Sequence, residues 1–334
     1  MIRQALFTLL CIGLLVGCKK DEGGTFIHLS FTKYDTPKGF PPVEFPEDNF
    51  PTFERIALGK KLFFDVNLSR DSTVSCASCH QSQYGLADNL SLSDGVFGRK
   101  GFRNSPSLLN VAYQEKLMMD GGVATLEMQV EAPLTDHLEM DMTGPELIER
   151  LEQNEEYMQL FREAYPDRHA YYIYTRALAC FERSLVSANS VYDSWLLEGI
   201  ELGQSQERGR QLFFSERTNC SSCHSGFLFS DQSFRSNGLY TNYADPGRAR
   251  VTELAEDQGT FKVPSLRNIA STAPYMHNGS LSSLKEVIEH YNSGGADHPN
   301  KDFRIKALNL NEQDQRDLVN FLKTLTDKSI QISP

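Results

Sequence analysis

Apolar residues recur every three or four positions along much of this chain, which is the spacing of one face of an α-helix. Thr52 is placed to cap a helix that runs through Phe64, and Asn311 to cap one near the C-terminus. Thr143 and Glu146 form a capping box that opens a third helical pattern. The apolar stripes are Leu147, Leu151, Met158 and Phe161; Ile173, Ala177, Cys180, Phe181 and Leu185; and Leu318, Phe321, Leu322 and Leu325.

No segment shows a convincing alternation of apolar and polar residues, so the pattern predicts a mainly α-helical protein. Residues 21–51 contain five prolines and are predicted to be extended or irregular. A change in pattern near residues 188–204 suggests a domain boundary. We therefore expect a tether and extended segment over 18–52, one domain over 53–190 and a second over 191–334.

The N-terminus has the features of an export signal. Arg3 precedes an apolar run from Ala5 to Val16, which is too short to span a membrane and suits a signal peptide over residues 1–17. The run ends in LVGC, which resembles a bacterial lipobox and predicts lipidation of Cys18. An ordinary signal peptide with an incidental cysteine is the alternative. The prediction is a lipoprotein of the periplasm or cell envelope, held at the membrane only by its lipid.

Length, composition and charge limit the function classes. The chain has 334 residues, 40% of them hydrophobic and 23% charged, which is typical of globular domains. Its formal net charge of −11 argues against nucleic-acid binding, which needs a basic face. An acidic surface suits a basic protein partner.

Four of the seven cysteines form two CxxCH units, Cys76–Cys79 with His80 and Cys220–Cys223 with His224. A zinc site could use four cysteines, and a thioredoxin-like site could use one pair, but neither explains a histidine directly after each pair. Covalent attachment of c-type haem uses all six residues, because the cysteines form thioethers and the histidine binds iron. Two covalent haems are therefore predicted. Cys180, in an apolar helical stripe, is expected to be a small buried thiol.

The sequence around the two units is repeated. LGKKLFF at 58–64 precedes the first unit and RGRQLFF at 208–214 the second, and NSPSLLN at 104–110 matches KVPSLRN at 262–268. We also align MDGG at 119–122 with MHNG at 276–279, followed by Leu126 and Leu284. This order predicts two cytochrome c-like domains that arose by internal duplication.

From Phe53 to Leu325 the chain resembles the bacterial di-haem cytochrome c peroxidases, close to the MauG-type branch. The motifs that carry the resemblance are LFFD…CASCH, RNSPSLLN, DGG…LEMQ, the LEM of 138–140, ALACFERSLVS, CSSCH, FKVPSLRN, APYMHNGSLSSLKEVIEHY and FLKTLT. The resemblance implies peroxide chemistry at the N-terminal haem and electron relay or storage at the C-terminal haem.

The resemblance also assigns roles to individual residues. It implies that His80 is the proximal ligand of the first haem, that Glu139 is the distal acid–base group and that Gln129 lies beside it. A shielded carboxylate suits this role because burial raises its pKa. His137 could approach the same pocket, although exposure is the simpler expectation. A calcium ion is implied between the domains, bound by the Asn104 side chain and by the carbonyl oxygens of Lys262 and Pro264.

Two departures from the family affect the first haem and the path between the haems. Many members have a distal histidine in the loop before RNSP, whereas this chain has Val96 there. We therefore predict a first haem that is open without activation. The family's tryptophan between the haems corresponds to Met119, and the only tryptophan, Trp195, lies elsewhere. Aromatic-assisted electron transfer between the haems is therefore in question.

A third departure concerns the sixth ligand of the second haem. Many members place a methionine after an LxEAV motif, and MauG-type members place a tyrosine there. In this chain LKEVIEHY puts Tyr291 at that position. Met276 and His290 are rivals for the role, and His277 is expected to contact a haem propionate. A tyrosinate ligand lowers the reduction potential relative to methionine.

The leading hypothesis is a di-haem enzyme that reduces hydrogen peroxide to water with electrons from a small cytochrome or cupredoxin. One alternative is a MauG-like enzyme that oxidises side chains of a partner protein. Another is a non-enzymatic di-haem electron carrier. Homodimerisation is a further expectation from the resemblance.

Overall fold

A computed structural model describes residues 36–334. The predicted signal peptide, the lipidated Cys18 and the first part of the tether lie outside the described residues. Within the described range, no helix has the length and apolar character needed to cross a membrane. Residues 36–51 contain neither helix nor strand, as their prolines predict.

Short helices joined by long irregular segments build the first half of the chain. Cys76–Cys79 is a single helical turn, and a cluster of longer helices follows the loop that carries Glu139. The helices are α1 Phe53–Phe64, α2 Cys76–Cys79, α3 Leu126–Gln129, α4 Glu131–Thr135, α5 Gly144–Glu152, α6 Glu155–Ala164 and α7 Ala170–Arg183. Single 3-10 turns lie at Val66–Leu68, Ser82–Tyr84, Val96–Gly98 and Val111–Tyr113.

The second half repeats this plan with fewer helices. They are α8 Val191–Glu198, α9 Gln204–Phe213, α10 Ala249–Thr252, α11 Leu284–Ser293 and α12 Glu312–Lys323, with 3-10 turns at Cys220–Ser222, Ala255–Asp257 and Ile269–Ser271. Two short antiparallel strands, β1 Phe234–Arg235 and β2 Phe261–Lys262, pair Phe234 with Lys262. The prediction of a mainly α-helical fold is confirmed.

The predicted helix caps are present. The Thr52 side chain accepts a hydrogen bond from the amide of Arg55, and Thr143 with Glu146 closes a capping box at the start of α5. Asn311 caps α12. The stripe from Leu147 to Phe161 is divided between α5 and α6, because Asn154 caps a new helix by accepting hydrogen bonds from two amides of its first turn.

The duplication is visible in how the helices pack. Helix α1 crosses α7 at Gly59, and α9 crosses α12 at Gly209. A methyl group on Gly59 would lie 1.9 Å from the carbonyl oxygen of Ala177, and one on Gly209 would lie 1.9 Å from that of Asp317. Each repeat therefore needs glycine in the LGKKLFF or RGRQLFF segment, because the two helix backbones touch there.

The backbone also corrects the alignment of one part of the repeat. Leu117 pairs with Val123 in a short bridge, and Tyr275 pairs with Leu281 in the same way. Gly121 and Gly279 both have positive φ, as do Met118 and Met276. Met118 is therefore the structural equivalent of Met276, and Met119 that of His277. The alignment of MDGG with MHNG is therefore wrong by one residue. It follows identical residue types, whereas the equivalent backbone turns lie one position earlier in the first repeat.

Each repeat has its own apolar core. The first runs from Ile56 to Leu185 and includes Cys180, which is buried as predicted. The second runs from Phe213 to Leu325 and is centred on packed phenylalanine rings, among them Phe229 and Phe321. The last residues of the chain return to the first core, where Ile332 exchanges hydrogen bonds with the Ser82 hydroxyl.

Buried charges join the two halves. Asp120, fully buried, accepts hydrogen bonds from Arg103 of its own half at 2.7 Å and from Arg250 of the other half at 2.7 Å. Arg103 also binds Asp245 across the contact. Buried ion pairs are costly to break once formed, so this cluster fixes the relative position of the halves.

Candidate active site

The first CxxCH unit forms one turn of helix that ends at its histidine. Cys76 and Cys79 lie on α2 without a disulfide between them, and the amide of His80 donates to the carbonyl oxygen of Cys76 at 3.0 Å. The Nδ1 atom of His80 lies 3.0 Å from the carbonyl oxygen of Leu86. A nitrogen that donates to a carbonyl carries the proton, so Nε2 is left with the lone pair.

The second unit has the same arrangement. The amide of His224 donates to the carbonyl oxygen of Cys220 at 3.0 Å, and Nδ1 of His224 lies 2.9 Å from the carbonyl oxygen of Phe229. Burial lowers the pKa of both His80 and His224, so both imidazoles are neutral. A neutral imidazole whose Nδ1 proton is held by a backbone carbonyl is the usual form of a metal-binding histidine.

These residues fit c-type haem. In each unit two unpaired thiols lie one turn apart and an oriented imidazole follows directly, which is the donor set for two thioethers and one iron ligand. Cys76, Cys79 and His80 would hold one haem, and Cys220, Cys223 and His224 the other. Among the described residues, no group of three or more His, Cys, Asp or Glu side chains could hold a bare metal ion, so zinc finds no support there.

Glu139 lies near the first CxxCH unit. The residue as a whole is exposed to solvent, although many protein atoms surround its carboxyl group. Burial, with a smaller effect of Asp136, raises its pKa to about 7. Burial is also the main reason that the pKa values of the Cys76 and Cys79 thiols are raised, and the Glu139 carboxylate adds to both shifts. The Glu139 carboxylate is therefore near enough to both thiols to act on them electrostatically.

Val96 is the direct neighbour of Glu139. Its amide donates to the carbonyl oxygen of Glu139 at 2.8 Å, and its side chain is fully buried. The preceding Gly95 packs so closely that a methyl group there would lie 1.9 Å from the carbonyl oxygen of Leu138. Val96 is also the position at which the resemblance to the family implies a histidine in many members, and here the side chain is apolar and buried.

Gln129 and His137 have different surroundings. Gln129 ends α3, and its buried Oε1 has no hydrogen-bond partner among the described residues, which leaves an acceptor for a group in the pocket. His137 is exposed, with a side chain that is 73% accessible and 3.6 Å from Asp136. His169, the other described histidine of the first half besides His80, is also exposed.

Sequence reasoning missed Glu182. This residue is buried at the end of α7, and its Oε2 atom has no hydrogen-bond partner among the described residues. Burial raises its pKa to about 8, and its charge is felt at Cys76. Helical periodicity alone would place a glutamate at this position on the surface, so no signal in the sequence marked it.

On the second haem's side, one asparagine contacts all three predicted candidates for the sixth ligand. Nδ2 of Asn237 donates to the sulfur of Met276 at 3.2 Å, and its carbonyl oxygen lies 3.1 Å from Nε2 of His290. Burial raises the pKa of Tyr291, and a hydrogen bond from the Asn237 side chain opposes that shift. The Cys220 and Cys223 thiols also raise the pKa of Tyr291, so the phenol lies within electrostatic reach of the second CxxCH unit.

Comparison with known proteins decides the family. Residues 53–202 match the family described as di-haem cytochrome c peroxidase, and residues 206–326 match cytochrome c. Over 292 residues the chain is 39% identical to the methylamine utilization protein MauG of Methylorubrum extorquens, which covers 85% of this chain and 81% of that protein. The chain belongs to the di-haem cytochrome c peroxidase and MauG family.

Two further relatives agree. The cytochrome c551 peroxidase of Pseudomonas aeruginosa is 35% identical over 243 residues, which are 69% of this chain and 69% of that protein. The crystal structure of a MauG-like protein associated with microbial copper homeostasis superposes with a TM-score of 0.85 at 33% identity, covering 89% of this chain and 96% of that chain. Membership makes the protein a peroxidase-like oxidoreductase that acts on peroxide, and it implies two c-type haems.

The position of the tryptophan found in other family members lies at the contact between the halves. Met119, at this position, is half-buried, and its carbonyl oxygen accepts a hydrogen bond from the amide of Lys262 at 2.8 Å. Trp195 lies on α8 in the second half, in tilted ring contact with Tyr192 and covered by Arg210. His277, the structural equivalent of Met119, stacks on Phe261 with 4.2 Å between ring centres.

Two of the three predicted calcium ligands, Asn104 and Lys262, lie at the same contact between the halves. The amide of Asn104 donates to the carbonyl oxygen of His277 at 2.8 Å, and His277 stacks on Phe261, next to Lys262. Nδ2 of Asn104 donates to the carbonyl oxygen of Leu90, so Oδ1 remains as its acceptor. The Pro264 carbonyl also interacts with His224. Calcium binding at this family position stays a prediction.

Proposed function

We propose that this protein reduces hydrogen peroxide to water at the first CxxCH site, with electrons supplied through the second. Two electrons and two protons convert one peroxide to two waters. When bound, the first haem would supply the iron that binds peroxide and the redox chemistry that breaks its oxygen–oxygen bond. The observation that carries the proposal is Glu139, whose carboxylate acts electrostatically on Cys76 and Cys79 and whose backbone is hydrogen-bonded to Val96.

Glu139 is suited to move the proton. Peroxide binds as its anion and leaves as water, so one group must accept a proton from the first oxygen and return it to the second. A carboxyl group with a pKa of about 7 exists in both forms near neutral pH and can perform both transfers. The free Oε1 of Gln129 can orient the hydrogen of a bound peroxide, since it is buried without another partner among the described residues.

Two other residues prepare the site. The carbonyl of Leu86 holds the His80 ring so that Nε2 presents its lone pair to the iron. Val96 keeps the distal side of the pocket apolar and offers no donor atom that could bind iron. The two remaining described histidines of the first half, His137 and His169, are exposed. These features support a first site that is ready without a ligand exchange.

Tyr291 is the sixth ligand that we propose at the second site. Its buried phenol is within electrostatic reach of the Cys220 and Cys223 thiols, whereas His290 is turned to a backbone carbonyl and Met276 to an amide. A tyrosinate lowers the reduction potential relative to methionine. Tyr291→Met should therefore raise the potential of the second haem, as measured by spectroelectrochemistry of the protein with both haems. An unchanged potential and spectrum would exclude Tyr291 as a ligand.

Peroxide titration of the protein with both haems tests the proposal. In the proposed enzyme, electron paramagnetic resonance shows one high-spin haem, and that signal reacts with peroxide within seconds. With a reduced small cytochrome or cupredoxin present, peroxide is consumed at two donor electrons per molecule. Two low-spin haems that do not react with peroxide would instead identify a non-enzymatic electron carrier.

A MauG-like oxidation of a partner protein is the second candidate. Tyr291 beside the second CxxCH unit and Val96 in place of a histidine favour it, as does the TM-score of 0.85 with a MauG-like protein. The two candidates differ in the fate of the oxidised protein without a donor. If the oxidised state persists and decays only when a protein substrate is added, with modified side chains found by mass spectrometry, the MauG-like reaction is the correct one.

We further propose that the protein is a lipoprotein of the periplasm or cell envelope, anchored through Cys18, and that calcium binds at Asn104, Lys262 and Pro264. The lipobox-like LVGC supports the first, and the family position of these oxygen atoms supports the second. Cys18→Ser should release the protein from membranes. Chelation followed by elemental analysis tests for calcium.

A further inference from the structure

Asn237 interacts with several side chains that could bind the iron of the second haem. It precedes Gly238 in a turn after β1 and is half-buried. Its carbonyl oxygen holds His290, its Nδ2 atom holds the Met276 sulfur, and its side chain hydrogen-bonds to Tyr291.

The orientation of the Asn237 amide is fixed by its own backbone. Oδ1 accepts a hydrogen bond from the amide of Leu239 at 3.1 Å, so the NH2 group must point towards Met276 and Tyr291. An NH2 group has two hydrogens, enough for one bond to the sulfur and one to the phenol oxygen. The assignment of oxygen and nitrogen therefore follows from the hydrogen-bond network.

Met276 is held under backbone constraint. Its φ of 75° is uncommon for a residue with a side chain, and Gly279 in the same turn also has positive φ. The loop is thus fixed with the sulfur beside Asn237, close to Tyr291. A thioether is a good ligand for haem iron, so something must keep this sulfur away from it.

We propose that Asn237 is a positioning residue that selects the ligand of the second haem. Its NH2 group donates to one lone pair of the Met276 sulfur and so holds the thioether in place, and it would stabilise the oxygen of Tyr291 as the ligand, while its carbonyl holds His290 aside. This inference rests on the proposed ligation by Tyr291. It adds that, without the Asn237 donor, Met276 competes for the iron.

Asn237→Leu tests the selection in the protein with both haems. Leucine is similar in size and cannot donate, so methionine ligation should appear, seen as the near-infrared charge-transfer band in magnetic circular dichroism, with a higher potential for the second haem. The double variant Asn237→Leu/Met276→Leu should lose that band. Asn237→Asp provides a second route, because it keeps the acceptor for Leu239 and lacks the donor, and it should show the same new band.

Asn278→Asp is the matched control. Asn278 lies in the same loop as Met276, and its amide donates to the Tyr240 hydroxyl at 2.9 Å instead. It should leave the ligation of the second haem unchanged. If both Asn237 variants keep the wild-type tyrosine spectrum, with or without a shifted potential, Asn237 does not select the ligand. If the unmodified protein itself lacks a tyrosine signature, the proposed ligation fails independently of Asn237.

Discussion

The amide of Val96 donates a hydrogen bond to the carbonyl oxygen of Glu139 at 2.8 Å. This single bond ties the loop before RNSP to the segment that carries Glu139. Two segments distant in sequence therefore meet beside the first CxxCH unit. An apolar residue on one and a carboxyl group with a raised pKa on the other give the pocket its chemistry.

Val96→His should convert the first haem from high-spin to low-spin. A histidine at this position would lie beside Glu139 and supply a ligand to the open side of the iron. Electron paramagnetic resonance of the oxidised protein should show loss of the high-spin signal and a slower reaction with peroxide. Val96→Ile, which adds only a methyl group at about 1–3 kcal/mol of overpacking, should keep the high-spin signal. A high-spin signal retained in the histidine variant would contradict this geometry.

Glu139→Gln should slow the reaction with peroxide by about 10²- to 10⁴-fold, because the amide cannot carry the proton. The pKa of Glu139 is raised to about 7, so the base form is lost as pH falls through that value. The rate constant of the wild-type protein should fall about tenfold for each pH unit below 7. Stopped-flow measurements from acid to neutral pH give both results.

Asp136→Asn is the control for the pH profile of Glu139, because Asp136 contributes only a minor part of the rise in the pKa of Glu139. Gln129→Glu would not serve, since it adds a second titrating group. The profile of Asp136→Asn should move slightly to lower pH while the plateau rate is kept. A Glu139→Gln protein that retains the wild-type pH profile would show that another group moves the proton.

Gly59→Ala and Gly209→Ala should each destabilise one half of the molecule by about 3 kcal/mol or more, since the added methyl groups would overlap backbone carbonyl groups. Denaturant unfolding monitored by the haem bands measures the loss. Gly101→Ala is the control, because its methyl group would lie 4.0 Å from the carbonyl oxygen of Arg103, an ordinary van der Waals distance. If all three variants had the same free energy of unfolding, the helix pairs could move apart at Gly59 and Gly209 without destabilising the protein.

Glu182→Gln should remove a pH dependence of stability. The pKa of Glu182 is raised by burial from 4.5 to about 8, so the folded state keeps a proton that the unfolded state has lost between these values. Its contribution to stability is present below pH 4.5 and is lost as pH rises towards 8, by up to about 1.4 kcal/mol per pH unit. Denaturation curves of the variant should show a smaller slope over this range, and parallel curves would place the titration elsewhere.

Local patterns in the sequence were sufficient to predict the helices and the type of cofactor. Thr52, Thr143 and Asn311 cap helices with their own side chains, so the signal and the structure lie within a few residues of each other. The CxxCH units are equally local, because two thiols and an imidazole must share one turn to hold one haem. The break at Asn154 was missed because continuing apolar spacing outweighed a single capping residue.

The correct alignment of the two repeats in their central loop could not be predicted from residue identities alone. MDGG and MHNG agree at two letters in a register that the backbone does not follow, and the bridges at Leu117 and Tyr275 show the correct one. Glu182 was missed for a related reason. Its burial depends on the packing of α7 against the rest of the first half, which helical periodicity does not report.

The sequence by itself determined the mainly α-helical duplication, the two haem-binding turns and the candidates for catalysis, because each is encoded by residues close together in the chain. Only the tertiary structure decided which candidates meet. The contact of Val96 with Glu139, the raised pKa of Glu139, and the contacts of Asn237 with Tyr291, Met276 and His290 arise between distant segments. Burial and hydrogen-bond geometry depend on the folded chain around a residue, and spacing along the sequence does not specify them.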